Sequence, residues 1–328
     1  MDSTATALAR FQRDRVDLDP QQVKTARASR DFLVEQINAL RLTKGFPPYT
    51  GGHLPFGSFS RRTKIQPLDD VDTLFFINGG KTTENRRDDG VTVWLRIEDA
   101  TAPLAAYRDD YAFVNSTRVL NATRDGLGGI KLYKKADVKK NMEAVTLALS
   151  SYPWVFDIVP AVSVNDGQGG TAHYLIPDGR GEWKRADLRG DAKRTEALNA
   201  ARGNAFTPLC RLLKYWNNRT HKPQFPAYYF ETLVGQVFAT AAIHSTSGAV
   251  HTFFKQASAL VAQSCPDPNC FGPNLDAGID WATKQKVISA MNEAESNALT
   301  ASVYPLLAGH DNVALSLWRK VFGPEFGT

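Results

Sequence analysis

The chain has 328 residues, with 39 basic and 34 acidic side chains, a formal charge of +5 and a hydrophobic content of 43%. That length holds one large domain or two ordinary ones, and the unremarkable Gly, Pro and charge content excludes a collagen, a coiled coil or extended disorder. No apolar run reaches about 18 residues, so no membrane span is expected. The opening MDSTATALARFQRDRVDLD lacks the apolar stretch of a signal peptide. Cys210, Cys265 and Cys270 are too few for a disulfide scaffold, which fits a reducing compartment; the expectation is a cytoplasmic protein. The mildly basic balance suits polyanionic partners such as nucleotides and does not by itself indicate nucleic-acid binding.

In chain order, residues 20–42 carry Val23, Phe32, Leu33, Ile37 and Leu40 at helical spacing and predict a long amphipathic helix. Gly45 to Gly52 breaks that pattern. Val71 to Ile77 reads as a strand buried on both faces, and Val91, Val93, Leu95 and Ile97 alternate as a half-buried strand. Residues 136–150 read as helical. WVFDIVPAVSV is a second apolar strand, turned by Asn165 to Gly170 into a hairpin with AHYLIP. Beyond Trp183 the texture turns helical, through TEALNAARGNAFTPLCRLLKYWNNR, YYFETLVGQVFATAAIH and ATKQKVISAMNEAESNALTASVYPLLAG. The boundary falls near residue 180, between a mixed α/β half and a helical lobe. The final GPEFGT reads as a flexible tail.

Three carboxylates carry the chemistry. Successive strand residues point to opposite faces, so Asp70 and Asp72 share a face about 6.6 Å apart along the strand, while Asp69 falls on the other. Such a pair can sit in solvent at a strand end, cap a turn, or meet Arg61, Arg62 or Lys64. Asp157 is a third acid, embedded in the apolar run Trp154 to Val159, where a lone anion is costly. If its strand lies beside the first, three carboxylates converge at one sheet edge. Oxygen-rich carboxylate sites suit Mg²⁺ or Mn²⁺, which also hold phosphate oxygens and water. Two such ions roughly 4 Å apart activate an attacking hydroxyl and stabilise a leaving pyrophosphate. Gly57-Ser58, a dozen residues upstream, can bring backbone amides and a hydroxyl to a triphosphate.

These segments carry a family resemblance. Gly57-Ser58-Phe59-Ser60-Arg61-Arg62-Thr63 with Asp70-Val71-Asp72, and Phe156-Asp157-Ile158-Val159-Pro160-Ala161, resemble nucleotidyltransferases of the polymerase β type. Within them the match is to the bacterial cGAS/DncV-like nucleotidyltransferases (CD-NTases), relatives of the oligoadenylate synthases. Leu212-Leu213-Lys214-Tyr215-Trp216-Asn217, Tyr228-Tyr229-Phe230-Glu231 and Asp267-Pro268 with Asn274 resemble motifs of the same family's helical lobe, so the likeness spans roughly residues 30 to 310.

The resemblance implies an α+β fold with two parts. A polymerase β-type core, of mixed sheet, flanking helices and a long N-terminal helix, would occupy residues 1–180. A helical C-terminal lobe would occupy 181–328, with the active site in the cleft. It implies an enzyme that cyclises nucleoside triphosphates, ATP and GTP foremost, into a cyclic di- or trinucleotide second messenger. Cyclic GMP-AMP is the expected product, pyrophosphate leaves, and the setting is CBASS antiphage defence. The messenger would act on a separate effector, and the enzyme would need no membrane or nucleic acid, though a regulatory protein partner fits. By position, Asp70 and Asp72 would hold two Mg²⁺ (or Mn²⁺) ions and Asp157 the ion nearer the attacking hydroxyl. Gly57 and Ser58 would hold the donor triphosphate, Lys214 would reach its terminal phosphates, and Tyr228 would stack on its base. Ala227 stands where many relatives have Ser. The alternatives are transfer to an RNA 3′ end or a small-molecule hydroxyl, and an inactive nucleotide-binding scaffold.

Other features read more plainly. Cys265 and Cys270 with His244, on a predicted helix, and His251 make a poor zinc pattern. Cys210 reads as a core residue. Lys131, Lys134, Lys135, Lys139 and Lys140 read as a solvated helix face, or else as a polyanion-contacting surface. His173 and Tyr174, on the hairpin after Asp157, are placed near an acceptor nucleotide. Neither a dinucleotide-binding glycine fingerprint nor a P-loop occurs.

Overall fold

A computed structural model describes residues 3–220, 223–303 and 311–327, and the end of the last helical run named above, residues 304–309, lies outside them. The chain forms two compact units that interleave along the sequence. One comprises residues 19–61 and 68–192, the other residues 1–18, 62–67 and 193–328.

The first unit is a sheet with helices. Helix α2 (Pro20–Ala39) starts with proline in its first turn and with Asp19 accepting a hydrogen bond from the Gln22 amide, the usual way to satisfy orphan N–H groups. After it come β1 (Tyr49–Pro55), the single turn α3 (Gly57–Ser60), β2 (Asp70–Ile77), β3 (Thr83–Arg86), β4 (Thr92–Arg96) and α4 (Ser116–Gly128). Then follow β5 (Asp137–Asn141), β6 (Ala144–Ala148), β7 (Val155–Asn165), β8 (Thr171–Pro177) and β9 (Trp183–Ala186). The sheet order is β1-β2-β7-β8-β9-β4-β3, with β6 also on β7 and β5 beyond it. Strand β2 runs parallel to β7, and the other pairings are antiparallel. The mixed sheet and helices give the expected α+β class.

Alternation divides the sheet's two faces. Phe75, Ile77, Ile158 and Pro160 line a small apolar gap with Ile37 of α2 and Thr123 of α4, so these helices cover one face. Leu74, Val159, Ala161, Tyr174 and Ile176 form a separate buried cluster on the other face, joined by Leu54, Phe56 and Phe76. That second face also carries the acids.

The helical reading of residues 136–150 is wrong: the segment is the β5–β6 hairpin, closed between Asn141 and Ala144. Its Lys, Ala, Met and Glu residues favour helices, but Val145 and Leu147 alternate inward and are fully buried against β7. Met142 takes φ +49° in the turn, which no glycine announced. Lys139 and Lys140 therefore lie on an outer strand and not on a helix; charged lysines there discourage edge-to-edge pairing.

The second unit packs α1 (Thr4–Phe11), α6 (Phe206–Tyr215), α7 (Ala227–Thr240), α8 (Thr246–Val261), α9 (Trp281–Val303) and α10 (Asp311–Phe322) around one apolar core. Helix α5 (Leu188–Ala201) spans the divide, and Asn204 at φ +64° separates it from α6, so the predicted single run is two helices. His244 lies in a bend after α7 and not in a helix. The C-terminal tail is also corrected. Phe326 is fully buried against Phe11 and Phe322, the Tyr215 hydroxyl donates to Glu325 at 3.0 Å, and Arg319 Nε donates to the Phe326 carbonyl. One aromatic anchor outweighs the mobility suggested by two glycines.

Candidate active site

The site is built on β2 and β7. In parallel register Asp72 pairs with Asp157 and Asp70 with Val155. Paired residues on neighbouring strands share a face, so Asp72 and Asp157 stand side by side and Asp70 lies two residues back. On the far side of Asp157, Thr146 of β6 is its register partner. All three acids are half-buried, whereas Val71 and Phe156 beside them are buried on the helix-covered face. Hydrophobic residues anchor the strands, and alternation leaves the carboxylates on the opposite side.

Gly57 opens α3 directly against this group. It takes φ +73°, and a Cβ built on it would lie 2.7 Å from Asp72 Cγ, so only glycine lets the chain pass so close to the carboxylate. The Phe56 amide donates to the Asp72 carbonyl at 3.2 Å, which ties the Gly57-Ser58 turn to β2. Gly57, Ser58, Asp70, Asp72 and Asp157 thus gather within one unit.

Lys214 and Tyr228 lie in the other unit. Lys214, on α6, is 3% exposed; its Nζ donates to Glu231 Oε1 at 2.5 Å and to the Thr63 carbonyl at 2.8 Å. The Thr63 hydroxyl donates to Glu231 Oε2 at 2.9 Å, closing a three-residue network. Tyr228 is half-buried in the first turn of α7, while Tyr229 beside it belongs to the core. The sequence reading missed Glu231 and Thr63 as partners of Lys214; no local signal joins residues 17 and 151 positions away from it.

The remaining candidates separate by face. Tyr174 lies on the acid-bearing face, in the cluster with Val159 and Ala161. Burial raises its phenol pKa above the usual value, against the opposing charge of Arg189. His173 points to the opposite face, where its Nε2 lies 2.8 Å from Glu84 Oε2, and Arg185 Nε lies 2.8 Å from Glu84 Oε1. It is therefore turned away from the acids. In the second unit Cys265 and Cys210 are buried and Cys270 is exposed, while His251 pairs with Glu295 at 2.8 Å. Asp267 organises its own loop, accepting from the amides of Asn269, Phe271 and Gly272.

No family model matches this chain. A probable cyclic nucleotide synthase of Bacillus cereus strain VD146 is 34% identical over 325 residues, covering 98% of this chain and 97% of the relative. The chain belongs to the cGAS/DncV-like nucleotidyltransferases. Solved structures share the fold of this nucleotidyltransferase. Escherichia coli MS115-1 CdnC with ATP superposes with a TM-score of 0.72 at 17% identity, covering 99% of each chain. The same CdnC in complex with a HORMA protein gives 0.71 at 17% identity, covering 99% of this chain and 98% of that one. Vibrio cholerae DncV, a cyclic AMP-GMP synthase, gives 0.65 at 10% identity, covering 96% and 93%. This nucleotidyltransferase is an enzyme of the cyclic nucleotide synthase kind. No helix among its described residues is long and apolar enough to cross a membrane.

Proposed function

We propose that this nucleotidyltransferase joins ATP and GTP into a cyclic di- or trinucleotide, cyclic GMP-AMP being the favoured product, as the messenger-forming step of CBASS antiphage defence. The observation that carries the reading is the register pair Asp72–Asp157 with Asp70 on the same face, closed on one side by Gly57. The ATP seen with CdnC and the cyclic AMP-GMP product named for DncV support the choice of nucleotides. The HORMA protein bound to CdnC supports a protein partner, proposed here as regulatory. A separate effector would read the product.

The residues fit divalent cations. Their donors are all oxygen and on one face, with Asp72 and Asp157 in register, which suits Mg²⁺ or Mn²⁺ over softer metals. Among the described residues no group of three or more His, Cys, Asp or Glu side chains stands ready to hold a metal ion by itself. Magnesium does not need such a group: it is commonly held by one or two carboxylates together with substrate phosphates and water. Asp70, Asp72 and Asp157 would hold two ions, which when bound lower the attacking hydroxyl's pKa and neutralise the leaving pyrophosphate.

The chain's own residues do the rest. Gly57 and Ser58 bring backbone and hydroxyl to the donor triphosphate beside Asp72. Tyr228 stacks on the donor base, a contact worth about 1–3 kcal/mol in nucleic-acid binders. Lys214 is assigned to the terminal phosphates by the family resemblance alone, its ammonium being buried against Glu231 and the Thr63 carbonyl. The acceptor hydroxyl oxygen bonds to the donor α-phosphorus, the α–β bridging bond breaks, pyrophosphate leaves and the hydroxyl proton is released. A second such transfer closes the ring. The test incubates the protein with labelled ATP and GTP and Mg²⁺ or Mn²⁺. The expected result is a phosphatase-resistant product absent from Asp72→Asn; label in added RNA, or no product under any mix, refutes it.

A further inference from the structure

Residues 62–67 belong to the second unit, although they join α3 to β2 of the first. Neither end of this short segment has slack. The Arg61 amide donates to the Gly57 carbonyl at 3.1 Å and closes α3 just before it. The Asp69 carbonyl accepts from the Val155 amide at 2.9 Å just after it, where β2 begins to pair with β7. The segment therefore runs directly from the Gly57-Ser58 turn to Asp70 and Asp72.

The second unit holds the segment along its length. Arg211 of α6 donates from Nε and Nη2 to the Asp17 carboxylate at 2.8 and 3.0 Å, and from Nη1 to the Arg62 carbonyl at 2.7 Å. Lys214 and Glu231 hold Thr63, Ile65 is buried in the helical core, and the Gln66 amide donates to the Val16 carbonyl at 3.0 Å. Three donors of one planar guanidinium thus join two stretches of chain, which a lysine ammonium does not reproduce.

The residue under this clamp is strained. Arg62 takes φ +61°, left-handed backbone at a position that is not glycine. For an ordinary residue that region is about five- to thirtyfold less populated than right-handed backbone. The Arg62 side chain is exposed and makes no hydrogen bond or ion pair among the described residues, so the turn is held through the main chain. A buried anchor alone does not require such a turn, and backbone held against its preference clusters where function depends on geometry.

We propose that Arg211, fixed by Asp17, is a positioning residue for nucleotidyl transfer: by holding the left-handed turn at Arg62 it sets how the Gly57-Ser58 turn lies against Asp70 and Asp72. This rests on the reading of those residues as the nucleotide-joining site. A chain without slack passes any relaxation at Arg62 on to α3 or to the start of β2, and displacements of about 1 Å at a reacting centre cost up to about a hundredfold in rate.

The test changes the turn while leaving the clamp in place. Valine resists left-handed backbone and glycine adopts it freely. With labelled ATP and GTP, Arg62→Val should lower kcat about tenfold or more and raise the Mg²⁺ concentration needed for half-maximal rate. Arg62→Gly should stay within about threefold of wild type. Arg211→Lys should behave like Arg62→Val, and adding Arg62→Gly to it should restore part of the rate. A merely structural arginine would give neither the metal shift nor the rescue. Equal rates in the valine and glycine variants, or losses that follow the melting midpoint with the metal requirement unchanged, overturn the proposal. Hydrogen exchange reads the same segment without turnover: Arg62→Val and Arg211→Lys should speed exchange in peptides covering residues 57–61 and 68–72, and unchanged exchange there also overturns it. A wild type that makes no product while this exchange pattern holds refutes the nucleotide-joining reading and not the clamp.

Discussion

Asp72 and Asp157 lie directly opposite each other on neighbouring parallel strands, although 85 positions separate them in the chain. Parallel pairing sets their carboxylates side by side instead of on opposed faces. Replacing either with Asn should cut product formation about a hundredfold or more, since transition-state charge stabilisation at such sites is worth several kcal/mol. Thermal melting is a second check: Mg²⁺ or Mn²⁺ should raise the wild-type midpoint and leave those of Asp72→Asn and Asp157→Asn unmoved.

Gly57→Ala tests the close approach. The left-handed backbone alone costs a non-glycine residue about 1–2 kcal/mol, and the new methyl meets the Asp72 carboxylate. Activity should fall more than stability does, because the displaced group is one of the acids; circular-dichroism melts alongside product assays separate the two.

Lys214 sits in a buried ion pair, and breaking such a pair from one side typically costs about 3–5 kcal/mol. Lys214→Met should therefore lower the unfolding free energy by about 3 kcal/mol without nucleotide present, as read by urea denaturation. Restoring a well-packed apolar pair with Glu231→Leu in the same chain should recover much of that loss while leaving the enzyme impaired.

Asp276 links stability to acid pH. Burial works against its ionisation, but Lys284 Nζ at 2.5 Å and the Cys265 amide at 2.8 Å hold its pKa below the usual carboxylate value. A carboxyl depressed in the folded state stabilises the fold above its unfolded pKa of about 4, and that contribution is lost as pH falls through the depressed value. Asp276→Asn should be clearly less stable than wild type at pH 7, and the gap should narrow below about pH 4 in urea titrations.

Phe326→Ala should destabilise by about 3–5 kcal/mol, the range for a buried Phe truncated to Ala, although it lies two residues from the chain's end. A midpoint unchanged in thermal melting would show that the tail is not part of the core.

Much of the acid face was legible because strand alternation is a local rule. The spacing of Asp70 and Asp72 placed them together, and the apolar setting of Asp157 marked it as anomalous. The hairpin at 137–148 was misread because its side chains favour helices one at a time, while its strand state comes from burying Val145 and Leu147 on β7. The tail was misread because two glycines suggest mobility, and nothing nearby in the sequence shows that Phe326 finds Phe11.

By itself the sequence determined which residue types could do the chemistry: a period of two, a glycine before a pair of acids, a carboxylate inside an apolar run, and the motifs of a family. Only the tertiary structure decided which of those groups meet. It brought Asp157 beside Asp72, gave Lys214 to Glu231, turned His173 away and left Arg189 lying on Tyr174. Local pattern constrains the direction of a side chain, but its partner is set by strand pairing and core packing, which join residues with no relation along the chain.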